Sequence, residues 1–305
     1  MRILVTPRSM TRTPPQELPE LRPMVERGWE IVSGPAGQLP DEDQLCRLVR
    51  GVDGWIAGVE HIGARVFEHA DALRAISRNG VGADGVDAAA AERHGVQVLL
   101  ARGANSRGVA ELAVAHVLNA LRGLSTADAA MHDGRWERRL GREVPDLRIG
   151  VLGFGAIGRI VAQTFAAMGA DVVAHDPFAT VEGVRSVSAA EVFADADVVS
   201  LHAPPSSDGS PVVGADQLRV MRPGAVLVNT ARAALVDQEA VLAALESGAL
   251  DTYAVDAFDE EPPLLTPLLR HARTVMSPHL GGYTEASTRR ASALAVSNLV
   301  ASLEH

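Results

Sequence analysis

Short apolar runs alternate with helical patterns along almost the whole chain. In the first hundred residues the runs Ile3–Thr6, Glu30–Ser33, Gly54–Ile56, Ala75–Ser77 and Gln97–Leu99 read as strands. A small-residue stretch, ARGANS, follows at 101–106 and reads as a hinge. Residues 106–124 then carry Val109, Leu112, Ala113, His116, Val117, Ala120 and Leu121 on one stripe, which predicts a long helix. A second series of strands is predicted at Ile149–Leu152, Val172–His175, Val198–Ala203, Ala225–Thr230, Thr252–Asp256 and Thr274–Ser277. Strands alternating with helices predict parallel sheets covered on both faces, and two series joined by a hinge predict two lobes. A final helix, about 285–303, follows the second series and is expected to return to the first lobe.

Length supports this reading, since 305 residues is comfortable for two domains. With 47% hydrophobic and 22% charged residues, a sizeable core is available. The formal charge is −10 and no Lys/Arg run stands out, so neither nucleic acid nor an anionic membrane is expected as a partner. A small anion would have to be held by a few local arginines. The single Cys46 excludes an internal disulfide framework and a cysteine zinc site, and no metal is expected. The amino terminus, MRILVTPRSM, runs straight into a strand without a signal-peptide layout, and no apolar stretch approaches about 18 residues. The expected location is cytoplasmic.

The segment 148-RIGVLGFGAIGRIVAQTFAAMGADVVAHDP-177 places Gly153, Gly155 and Gly158 between a strand and a helix. The first glycine permits a tight turn, the second lets a pyrophosphate approach the backbone, and the third lets the helix pack on the strand. The helix amino terminus offers unpaired N–H groups and partial positive charge to phosphates. Asp176 ends the next strand, where an acid accepts hydrogen bonds from adenosine ribose hydroxyls and repels a 2′-phosphate. No Arg follows it in HDPFAT, so NAD is expected over NADP.

Three further segments carry candidate chemistry. In 226-VLVNTARAALVD-237 a strand end delivers Arg232, either as a clamp for a substrate carboxylate or as a surface arginine at a helix start. In 254-AVDAFDEEPP-263 acids cluster after a strand, although acid runs are usually solvated faces. In 276-MSPHLGGYTEAS-287, His279 sits between a proline and a glycine pair, a placement suited to a general acid/base rather than to an apolar helix face.

Taken with 78-RNGVGADGVD-87 and 103-GANSRGVAE-111, these motifs occur in the order and spacing of the D-isomer-specific 2-hydroxyacid dehydrogenases. The chain resembles that family almost end to end, and within it the short phosphoglycerate dehydrogenase-like members, with no room for their extra regulatory domains. The resemblance implies two doubly wound parallel-sheet domains. A Rossmann-type nucleotide domain, 102–278, would be inserted in a flavodoxin-like substrate domain, 1–101 with 279–305. It implies His279 as acid/base, Glu261 as its imidazole partner, and Arg232 as holder of the substrate carboxylate. The backbone amides of Asn79, Gly80, Val81 and Gly82 would complete that clamp. NAD would lie on Gly153, Gly155, Ala156, Ile157, Gly158 and Asp176. It would also meet Ala203, Pro204, Thr230, Ala231 and Arg232, and the His279, Gly281 and Gly282 loop, with Asp256 on the nicotinamide carboxamide. The helix after Asn105 would lie in a homodimer interface.

The implied reaction is hydride transfer between nicotinamide and C2 of a D-2-hydroxy acid or 2-keto acid. Departures bear on the substrate. The segment 54-GWIAGVEHI-62 lacks an arginine that animal-type phosphoglycerate dehydrogenases use for the phosphate, whereas Arg78 matches a second one. Arg8 and Arg12 follow the first strand, so a second anionic group on the substrate is expected, read by Arg8, Arg12 or Arg78. The loop 202-HAPPSSDGSPVV-213 departs from the family wording near the nicotinamide. Glu261 argues against formate oxidation, where the family carries Gln. Phosphite-type oxidation and an NAD(H)-sensing, co-repressor-like role remain as alternatives.

Overall fold

The computed structural model describes residues 1–206 and 208–304; Ser207, within the departing 202–213 loop, lies outside the described residues. The chain divides into two compact units, Met1–Asn105 together with the stretch from Glu285, and Ser106–Thr284. The expected crossings at 101/102 and 278/279 fall a few residues short of both, so Gly281 and Gly282 belong to the second unit.

The first unit is a five-stranded parallel sheet of β1 (Arg2–Val5), β2 (Glu30–Ser33), β3 (Gly54–Ala57), β4 (Ala75–Arg78) and β5 (Gln97–Leu100), in the order β2-β1-β3-β4-β5. Every residue of β3 and β4 is buried, which is why they read as continuous apolar runs rather than alternating ones. The helix Glu285–Glu304 returns to this unit. It sets Ala295, Val296, Leu299 and Leu303 against Ile3, Val5, Ile56 and Ala75. A Cβ at Gly54 would stand 2.6 Å from Leu303 Cδ1, so a side chain there would push the helix off β3.

The second unit holds seven parallel strands: β6 (Arg148–Leu152), β7 (Asp171–His175), β8 (Arg185–Ser186), β9 (Val198–Leu201), β10 (Ala225–Asn229), β11 (Leu250–Val255) and β12 (Thr274–Met276). Their order is β12-β11-β10-β9-β6-β7-β8. The period of two along β10 sends Val226 and Val228 to one core and Ala225 and Leu227 to the other. The Val226 side is covered by the helices Ser106–Arg122 and Ala156–Ala167 through Ala110, Ala113, Val117, Val161 and Phe165. β8 was not expected; two exposed residues carry no periodicity to read. The helix expected over 106–124 stops at Arg122, because Gly123 adopts φ 62° and a separate helix, Leu124–His132, begins. No helix among the described residues is long and apolar enough to cross a membrane.

Strand β6 has β7 on one side and β9 on the other, so the chain order reverses between β6 and β9. Loops leaving neighbouring strands at such a point run in opposite directions and leave a crevice at the carboxyl edge, where ligands of open α/β sheets bind.

Candidate active site

The glycine turn sits at that reversal. Gly153 has φ 92°, and a Cβ there would lie 2.5 Å from the His202 carbonyl carbon and 2.6 Å from Ala203 N. The loop after β9, with Ala203 and Pro204, therefore abuts the turn after β6. A Cβ at Gly158 would fall 2.0 Å from Gly153 O, so the helix seats directly on the turn. Gly155 differs from both, since nothing lies within 4 Å of its would-be Cβ. The second glycine thus faces open space, in front of the Ala156–Ala167 helix, whose N-cap Gly155 supplies no side-chain cap. First-turn amides left without such a cap suit a pyrophosphate.

Asp176 closes the other side of the turn. Its Oδ2 accepts from Phe154 N at 2.6 Å, and its Oδ1 accepts from Phe178 N and Ala179 N at 2.8 Å each. Burial pushes this carboxyl up, but the three N–H donors outweigh it and hold it below the ordinary carboxylate range. A fixed, ionised acid therefore stands at the end of β7, tied to the glycine turn.

Three consecutive strands carry the candidate reacting groups. After β10, Asn229 Oδ1 accepts from Ala231 N at 3.1 Å and its Nδ2 donates to Arg232 O at 2.7 Å, tying the turn that presents Arg232. Arg232 is half-buried, with Nη1 donating to Ala231 O at 2.8 Å. Thr230 beside it is 7% exposed, and its Oγ1 is buried without a hydrogen-bond partner in the protein. A buried hydroxyl is seldom left so, and this one fits a ligand group at the strand end. After β11, Glu261 Oε1 accepts from His279 Nδ1, which follows β12, at 2.7 Å and from Phe258 N at 3.3 Å. A carboxylate only accepts, so Nδ1 of His279 carries a proton toward Glu261 and Nε2 is the ring nitrogen on the opposite side.

Asp256, expected on a nicotinamide, has a further task. It is 1% exposed; Oδ1 accepts from Ser277 Oγ at 2.6 Å and Leu280 N at 2.7 Å, and Oδ2 from Gly281 N at 2.8 Å. It thereby ties down both sides of His279, a residue with φ 52°.

The first unit holds the remaining candidates. Arg78 is 7% exposed, donates from Nη1 to Glu60 O at 3.5 Å, and leaves Nε buried without a partner. Burial lowers its pKa, and the carboxylates of Glu60 and Asp84 push the other way. Asn79 N donates to Ala57 O at 2.8 Å, so the expected amide clamp contracts to Gly80, Val81 and Gly82. Arg8 and Arg12 are exposed.

Residues 114–281 match the family model of the D-isomer specific 2-hydroxyacid dehydrogenase NAD binding domain. The hydroxypyruvate reductase of Thermotoga maritima is 31% identical over 258 residues, 82% of this chain and 84% of that one. The chain belongs to the D-isomer specific 2-hydroxyacid dehydrogenase family. The D-3-phosphoglycerate dehydrogenase of Mycobacterium tuberculosis is 36% identical over 260 residues, 83% of this chain. That match spans only 49% of the mycobacterial protein, so the chain covers about half the length of such relatives. A solved structure of a Thermus thermophilus protein, 34% identical, superposes with a TM-score of 0.87 and covers 100% of this chain and 97% of that one. The expected fold, two parallel-sheet α/β domains, is the one this family shows. NAD is the cofactor of the matched domain, and the open Gly155 face, the uncapped helix and the unpaired Thr230 hydroxyl fit it.

Proposed function

We propose that this chain is an NAD-dependent D-2-hydroxyacid dehydrogenase that interconverts a 2-keto acid and a D-2-hydroxy acid. The observation that carries the reading is the 2.7 Å Glu261–His279 pair, set after β11 and β12 beside the Arg232 turn of β10. Bound NAD supplies the hydride chemistry at the substrate's C2. Arg232 holds the substrate carboxylate through its planar fork. In reduction, His279 Nε2 delivers a proton to the substrate oxygen, and in oxidation it removes one. Glu261 keeps the opposite ring nitrogen protonated and the ring oriented.

Consumption of NADH with hydroxypyruvate, glyoxylate, pyruvate and phosphohydroxypyruvate tests this directly. Binding of NADH with no turnover on any of them would favour a sensing protein. Phosphite-dependent NAD reduction would favour the phosphite chemistry instead.

Our reading also includes a second anionic group on the substrate. That group is left to Arg8, Arg12 or Arg78, whose Nε is buried without a hydrogen-bond partner in the protein. We further read the molecule as a homodimer. The Ser106–Arg122 helix spends its apolar stripe inside its own unit. Beyond it, exposed apolar side chains follow one another at Leu124, Met131, Trp136 and Leu140, which is 96% exposed.

Asp176 is expected to make the enzyme select NAD(H). Placing a 2′-phosphate against this carboxylate should weaken NADP(H) binding by about a hundredfold or more, because like charges in contact cost several kcal/mol. Calorimetric titration gives the answer, and equal affinities for the two cofactors would remove Asp176 from selectivity.

A further inference from the structure

His116 lies ten residues into the Ser106–Arg122 helix, is 5% exposed, and has no part in the reaction as derived above. Its Nε2 is 2.8 Å from Ser277 Oγ, which in turn is 2.6 Å from Asp256 Oδ1. The direction of this chain is fixed by proton count. Ser277 has one hydroxyl proton, and the carboxylate of Asp256, which already accepts from Leu280 N and Gly281 N, takes it. His116 Nε2 must therefore carry a proton and donate to Ser277 Oγ. Burial lowers the His116 pKa, with Asp256 acting against it, which agrees with a neutral ring; the proton count above places its proton on Nε2.

The far end of the chain is the His279 loop. A non-glycine residue at φ 52° costs on the order of 1 kcal/mol or more and persists only where its surroundings over-determine it. Here Asp256 supplies that constraint by gripping the amides of Leu280 and Gly281, and Ser277 Oγ fixes the rotation of Asp256. The helix also touches the loop through Val109, whose Cγ2 would lie 3.1 Å from a Cβ at Gly281.

The geometry points to His116 as a positioning residue: through Ser277 and Asp256 it holds the His279 loop in its left-handed conformation, so that Nε2 of His279 is presented for proton transfer. The part of this that concerns proton transfer rests on the function proposed above; the hold on the loop does not.

Two measurements test it. In the cofactor-free protein, hydrogen exchange at the Leu280 and Gly281 amides should quicken about tenfold in His116→Leu, the size of one lost hydrogen bond of about 1.4 kcal/mol. His116→Gln, whose Nε2 donates from nearly the same place, should keep wild-type exchange. With substrate, His116→Leu should lower kcat about tenfold with KM for NADH within about twofold, and Gln should restore it. Ser277→Ala breaks the same link from its other end and should reproduce the Leu variant where that variant folds poorly. Equal exchange in the Leu, Gln and wild-type proteins would overturn the proposal, as would equal damage by Leu and Gln. Quickened exchange in a protein whose wild type turns over no 2-keto acid would leave the loop device standing and remove the dehydrogenase reading.

Discussion

Changing His279 to alanine is expected to lower kcat by about 10²–10⁴-fold, the usual cost of removing a general acid/base. The imidazole is half exposed and bonded only to Glu261 among the contacts that define the site, so its removal leaves the strand ends intact. NAD affinity should therefore stay close to wild type. The effect should appear equally in kcat and kcat/KM, as for an interaction made in the transition state alone. Steady-state kinetics and a separate cofactor titration check both halves. Near-wild-type turnover in His279→Ala would sink the assignment of the proton donor.

The second large effect separates two glycines that look alike in the motif. A Cβ at Gly158 would stand 2.0 Å from Gly153 O, where both partners are backbone and neither has a rotamer to escape into. Gly158→Ala must move the helix or the turn, at a cost of about 3 kcal/mol or more. It should lower the melting temperature and abolish NAD binding together. At Gly155 a methyl meets nothing within 4 Å, so Gly155→Ala should fold and melt like wild type. It should nevertheless weaken NAD by about tenfold or more, because the methyl occupies the space through which the pyrophosphate reaches the backbone. Melting curves and NADH fluorescence titrations on the pair decide the matter. A stable Gly155→Ala protein with undiminished affinity would place the pyrophosphate elsewhere.

Much of this was legible in the chain itself. Buried strands read as unbroken apolar runs, and the glycine spacing lay between a strand and a helix, so local pattern and tertiary role agreed. His279 stood out by its place between a proline and a glycine pair, whereas Glu261, in an acid run that reads as a solvated face, was named only by the family resemblance. What escaped was whatever depends on a third dimension. Nothing in HDPFAT shows that Asp176 accepts the N–H of Phe154, 22 residues earlier. His116 lay on the apolar stripe of its helix and looked like core; its partner is 161 residues away. Nothing in the sequence shows that Arg78 is 7% exposed with its Nε buried and without a hydrogen-bond partner in the protein. β8 was invisible because two residues have no period.

The way the first unit is closed has a consequence for how the protein is made. The Ser106–Thr284 unit is one uninterrupted segment and can complete its sheet as soon as that segment has been synthesised. The first unit begins earlier but finishes later. Ile3, Val5, Ile56 and Ala75 present an apolar sheet face that Met10, Leu21 and Met24 cover only in part; the rest of its cover, Ala295 through Leu303, leaves the ribosome only after the whole second unit. Until then the nascent chain carries an open, sticky surface at its front and a finished domain behind it, the reverse of the amino-terminal-first order usual for domains in series. Chaperone demand, and sensitivity to truncation within the Glu285–Glu304 helix, should both concentrate on that one uncovered face.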